Sequence, residues 1–165
     1  MSKKVAKLGI FVALAMLFSY IEVLIPFPIG IPGVKLGIAN IVVVTALYLM
    51  KPGEAFMISM VRIFLMGILF GNGVSLLYSF AGGILSFLVM YLFRKRNWFS
   101  VIGVSALGGV FHNLGQLLSA ALVIHSEKIL YYFPVLLVAG VITGVLIGLL
   151  SEKIVKAMKI QSEMT

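Results

Sequence analysis

Six apolar runs, separated by basic clusters and proline- or glycine-rich turns, constrain this chain more than any other feature. The hydrocarbon core of a bilayer is about 30 Å thick, so a helix needs roughly 20 apolar residues to cross it. Inside that layer every backbone N–H and C=O must be satisfied within its own segment, which leaves helices as the form such runs can take. The expected fold class is all-α: a polytopic membrane protein of six transmembrane helices, one domain over residues 1–165. The approximate spans are 5–25, 35–50, 54–70, 74–93, 99–124 and 129–150. Composition agrees, with 62% hydrophobic residues against roughly 45–50% in soluble domains.

The breaks between runs read residue by residue. Lys3, Lys4 and Lys7 precede the first run, Leu8 to Ile25. A charged start and Ala13–Leu14–Ala15 mimic a secretory signal, but cleavage there would halve the apolar run, so the segment is expected to be a retained helix. Pro26 to Lys35 holds three prolines and two glycines and reads as a semi-rigid surface loop. Lys51-Pro52-Gly53 is a tight turn, with Pro52 and Glu54 suited to a helix start. Gly71-Asn72-Gly73 is another turn. Arg94-Lys95-Arg96-Asn97 follows the fourth run, then Trp98 as an interfacial anchor, and His125-Ser126-Glu127-Lys128 precedes the sixth. The second and third runs come to about 16 residues, short enough to call for flanking residues or local thinning.

Charge supplies the orientation. The net charge is +8, but the basic residues sit at the ends of apolar runs, a topology signal rather than a nucleic-acid footprint. A cytoplasmic N-terminus puts Lys3, Lys4, Lys7, Lys51, Arg94, Lys95, Arg96, Lys153, Lys156 and Lys159 inside, and only Lys35 and Lys128 outside. Both termini are therefore expected in the cytoplasm. With that topology Glu22, Lys35, Asn40, Asn72, Gln116 and His125 fall toward the outer side, and Arg62, His112 and Asn113 near the middle. The inner halves of the helices are almost purely apolar. Such a distribution describes a pocket opened from outside, not a pore lined end to end.

Gly103 to Ser119, GVSALGGVFHNLGQLLS, is the densest polar stretch within an apolar run. On a helix His112 and Gln116 share a face with Gly108, and Ser105, Gly108 and Gly109 keep that wall thin. Polar groups in hydrocarbon are costly and usually face a bundle interior or cavity, although an amide can equally be a helix–helix hydrogen bond; Asn40 admits both readings. Arg62, in the middle of its run, costs about 3 kcal/mol on insertion scales and needs a partner. Glu22, a carbonyl or an anionic ligand would each serve. The candidate small-molecule site is Glu22, Lys35, Asn40, Arg62, His112, Asn113 and Gln116. Arg62 and Lys35 favour a ligand with an anionic group.

Other chemistries are set aside on the residues. The chain has no cysteine, which removes disulfides, thiolate zinc and thiol nucleophiles. His112 has no second histidine or carboxylate at metal-ligand spacing, so no metal site is expected. There is no phosphate-binding GxxxxGK[ST] loop and no serine elbow, and neither catalytic residues nor a cofactor are expected. All five acidic residues are glutamates; a chain without aspartate cannot supply the aspartate-rich magnesium motif of polyprenyl diphosphate synthases.

Pro32-Gly33-Val34-Lys35-Leu36-Gly37-Ile38-Ala39-Asn40-Ile41-Val42 and His112-Asn113-Leu114-Gly115-Gln116 resemble the family described as heptaprenyl diphosphate synthase component I, also called the Gx transporter family. The architecture is similar to the substrate-binding S components of energy-coupling-factor (ECF) importers of bacteria. That resemblance implies an S-component-like bundle in the cell membrane that captures a micronutrient from outside. It also implies association with a coupling transmembrane subunit and ATPase subunits. In that group small residues on the first helix contact the coupling subunit, and Gly9, Ala13, Ala15 and Ser19 are the matching positions. The loop Pro26 to Lys35 would gate the pocket. Two rival expectations are a non-catalytic membrane subunit assisting polyprenyl diphosphate or quinone synthesis, and a structural partner in a membrane redox complex.

Overall fold

A computed structural model of the chain describes residues 2–24 and 37–163. The described residues form α1 (Ser2–Leu24), α2 (Asn40–Leu49), α3 (Pro52–Phe70), α4 (Gly73–Lys95), α5 (Val101–Ile124) and α6 (Phe133–Glu163), with a 3₁₀ helix (Glu127–Tyr132) before α6. There is no strand among them. Five of the helices are long and apolar enough to cross a membrane, and α2 is a shorter apolar helix. The chain is an all-α polytopic membrane bundle.

Local chemistry sets the helix ends. Pro52 occupies the first turn of α3, and the Glu54 carboxylate accepts from the Lys51 N–H at 3.3 Å. At the start of α4 the Asn72 side chain accepts from the Ser75 N–H at 2.8 Å, while the Ser75 hydroxyl accepts from the Asn72 N–H at 3.0 Å. That reciprocal pair satisfies two of the donors every helix N-terminus leaves open. Ser100 caps α5, and His125 closes it in the left-handed region at φ 52.

Three extents differ from the sequence expectation. α2 begins at Asn40 rather than near residue 35, because Gly37 adopts φ +70 and Ile38–Ala39 form a turn. The Glu22 carboxylate accepts from the Gly37 N–H at 2.5 Å and holds that entry in place. The ten residues of α2 reach only about 15 Å. Ile41 to Leu47 are all buried, so neighbouring helices sheathe it, and a helix apolar almost all round is what that position requires. α3, expected to be short, has 19 residues and needs no thinning. α6 runs on from the expected end near residue 150 to Glu163. No glycine or proline follows Gly148, and Glu152 pairs with Lys156 one turn on at 3.1 Å.

Helices α3, α4, α5, α6 and α2 pack in that order, and α2 returns to α3, closing a ring with α1 laid against α2 and α3. Glycine makes the closest seams. A Cβ on Gly109 of α5 would run into the Gly140 carbonyl oxygen of α6, and one on Gly144 would lie 2.6 Å from the Ala106 Cα. Between α4 and α5 a Cβ on Gly115 would meet the Ala81 carbonyl oxygen at 2.7 Å. Such backbone-to-backbone approach lets dispersion hold helices together where lipid is as apolar as leucine.

One end of the ring is dry. Phe11 and Ala15 of α1, Val43, Val44, Ala46 and Leu47 of α2, Ala55 and Ile58 of α3, Phe87 and Met90 of α4 and Val104 of α5 belong to one buried core. The basic clusters gather at that end. Lys4 of α1 pairs with Glu54 of α3 at 2.8 Å, and the Arg94 guanidinium of α4 lies 5.2 Å from the Tyr48 ring of α2.

Candidate functional site

The opposite end holds a cavity of about 490 Å³ to which all six helices contribute. Because the helices alternate in direction, the site draws on the end of α1, the second half of α3 from Arg62 on, the starts of α2 and α4, and the adjoining stretches of α5 and α6. It reaches down to Ser86 and Met90 of α4 and Ser105 of α5. Glu22, Asn40, Arg62, His112, Asn113 and Gln116 all line it. Lys35 and the loop Pro26 to Lys35 lie outside the described residues. The site is of small-molecule size, within the roughly 300–1,000 Å³ common for ligand pockets.

Arg62 is the charged centre. Its residue is 9% exposed. Nη1 donates to the Ser19 hydroxyl of α1 at 3.4 Å, and Nη2 donates to the Asn40 amide oxygen of α2 at 3.4 Å. Nε is buried and has no hydrogen-bond partner among the described residues. Both contacts are long and neutral. No carboxylate among the described residues reaches ion-pairing distance of Arg62; Glu22 lines the same cavity but spends an oxygen on the Gly37 N–H. Of the three partners the sequence allowed for Arg62, the direct Glu22 pair is not the one formed. Asn40 thus serves the arginine, not only helix packing.

The polar stretch of α5 divides its work. The Asn113 Nδ2 donates to the Leu136 carbonyl at 2.7 Å and ties α5 to α6. His112 and Gln116 stand where α4 comes closest: a Cβ on Gly82 would be 2.7 Å from the His112 carbonyl oxygen and 2.8 Å from the Gln116 Cγ. The thin wall anticipated at Ser105, Gly108 and Gly109 lines the cavity floor, and the Ser86 hydroxyl crosses to the Gly108 carbonyl at 2.8 Å. Among the described residues there is no group of three or more His, Cys, Asp or Glu that could hold a metal.

Sequence reading missed the hydroxyl wall. Ser75, Ser79 and Ser86 of α4 and Thr143 of α6 also line the cavity. Their signal lay in the spacing, since Ser75, Ser79, Gly82 and Ser86 recur every three to four residues and share one face. The four small residues of α1 separate into two pairs. Gly9 and Ala13 are exposed on the outer face, while Ala15 is fully buried and Ser19 turns inward to Arg62.

Fold and cavity together define a class: an all-α polytopic membrane protein with an arginine-centred cavity of mixed polar and apolar lining. Within that class the chain belongs to the family described as heptaprenyl diphosphate synthase component I, which it matches over residues 11–154. No curated protein and no solved structure matches it. The matched region takes in every candidate cavity residue and leaves out Gly9.

Proposed function

We propose that this chain is a non-catalytic membrane subunit that binds a small anionic molecule in the Arg62 cavity on behalf of partner subunits. The observation that carries the reading is the buried guanidinium with two long neutral contacts and an unpartnered Nε, facing a cavity of ligand size. A cation in that position is expensive unless a counter-charge completes it. Arginine offers a fork of donors that suits carboxylate and phosphate alike. The absence of aspartate from the whole chain argues that prenyl transfer, where it occurs, belongs to another chain.

Two settings follow for such a subunit. The family description favours an accessory component of polyprenyl diphosphate synthesis, presenting a diphosphate-bearing substrate to a separate catalytic chain. The S-component setting, capture of a micronutrient from outside for an ATP-driven importer, rests on the motif resemblance. It is favoured by one geometric observation: the cavity lies at the end away from the basic clusters, which the positive-inside rule makes the outer face of a bacterial cytoplasmic membrane with both termini inside. In that setting the exposed Gly9 and Ala13 are the docking positions, since a small residue facing lipid has no packing reason to stay small.

The test uses the full chain in nanodiscs. Arg62→Gln should weaken binding of diphosphate and of short carboxylates by about tenfold or more, the cost of losing a charge-assisted contact, while the protein stays folded. Unchanged affinity would remove the anion site. Gentle purification then separates the settings: a co-purifying prenyl transferase supports the first, and co-purifying ATPases, lost on Gly9→Leu with Ala13→Leu, support the second.

A further inference from the structure

A second cavity of about 410 Å³ adjoins the first. It lies between α4, α5, the 3₁₀ helix and the start of α6, and its body is formed by Leu117, Ala120, Ile124, Ile129, Tyr132 and Leu136. Among the described residues no charged side chain lines it. The two cavities share a wall, because Ser75, Ser79, Asn113 and Gln116 line both. One chamber therefore holds a buried cation with incomplete contacts, and its neighbour is mainly apolar, with the shared polar rim and the tyrosines Tyr78 and Tyr132 as its polar lining.

A small hydrophilic anion would satisfy Arg62 and leave the second chamber unused. A neutral hydrocarbon would fill the second chamber and leave the guanidinium without a direct ionic partner among the described residues. A molecule with an anionic head and an apolar tail satisfies both, in the usual pattern of an apolar pocket with a few convergent polar groups. The shared rim of two hydroxyls and two amides suits the junction between head and tail. Ile124 and Tyr132 are about half exposed, at 55% and 54%, so the far end of the apolar chamber lies at the bundle's outer surface.

We propose that the paired cavities bind a single-tailed anionic amphiphile, its phosphate or carboxylate head on Arg62 and its tail between α4, α5 and the 3₁₀ helix. This rests on the anion-binding reading given above and narrows its ligand class.

The experiment measures binding of ethyl, octyl and dodecyl phosphates, and of the matching alkyl carboxylates, to the full chain in nanodiscs, with partitioning corrected against empty discs. Each methylene that enters the chamber should tighten binding by about fourfold until the chamber is full. Ala120→Phe, which fills the second cavity from its buried wall, should erase that dependence and leave the ethyl compound's affinity unchanged. Tyr132→Ser, on the exposed 3₁₀ helix, removes a wall without disturbing the core and should weaken the long-chain ligands selectively. Arg62→Gln should weaken every member of the series. If the ethyl compound binds through Arg62 but chain length, Ala120→Phe and Tyr132→Ser have no effect, the tail site is overturned and the anion site stands. If no member binds above empty discs, or Arg62→Gln changes nothing, the anion reading falls and the amphiphile with it. If dodecanol binds as tightly as dodecyl phosphate, the apolar chamber accepts chains without a head and the proposal is likewise overturned.

Discussion

The two ends of the bundle are built from different material. At the basic end Phe11, Val43, Leu47, Ile58, Phe87 and Val104 interlock in a dry core. At the other end Ser19, Asn40, Arg62, Ser75, Ser79, His112 and Gln116 surround open volume. The same helices supply both, so the contrast runs along each helix rather than between helices. α1 shows it within two turns: Ala15 is sealed in the core, and the Ser19 hydroxyl accepts a hydrogen bond from Arg62. The difference separates two jobs. Packing energy is concentrated where nothing has to bind, and the buried charge that costs most sits at the end where a ligand can compensate it. The Thr45 hydroxyl, without a partner among the described residues, is the exception within the packed half.

The glycine seam holds α5 against α6 along both halves, and breaking it should erase the contrast altogether. Gly109→Leu forces a side chain where the Gly140 carbonyl already lies. The expected result is loss of monodisperse protein on size-exclusion chromatography; a folded, ligand-binding variant would show that the seam is not what sets the ring. The orientation of the contrast is tested by labelling intact cells with an impermeant thiol reagent. Asn72→Cys at the cavity end should react and Asn97→Cys at the basic end should not. The reverse pattern would turn the cavity to the cytoplasm. Within the dry half, Ile58→Ala should cost about 2–5 kcal/mol in unfolding experiments, the range for a buried large-to-small change, with anion affinity of the folded fraction unchanged. A comparable loss of affinity would mean that the halves are coupled. The smallest effect is expected at the α6 extension, where Glu152→Gln removes a largely solvated pair with Lys156. Unfolding should shift by about 0.5 kcal/mol or less.

Much of this was present in the linear chain, for physical reasons that can be named. An apolar run near bilayer length has helix as its one self-satisfying form, and Pro52, Asn72 and Ser100 carry cap chemistry that acts within a turn. The gathering of basic residues at one end follows from helix alternation. Glu22, Asn40, Arg62, His112, Asn113 and Gln116 reach one cavity because a polar group in an apolar run has few other places to go. What only the tertiary structure decided is direction and partnership. Beyond Asn40, α2 has Thr45 as its one polar break before Tyr48 and is buried from Ile41 to Leu47, so its sequence carries little phase. Its late start depends on a Glu22–Gly37 contact across 15 positions. The four-residue spacing of Gly9–Ala13 and Ala15–Ser19 is the same, yet one pair faces out and the other in. Arg62 takes Ser19 and Asn40 rather than Glu22 because three helices converge there. Helical period places residues on one face; which neighbour that face meets is settled by packing.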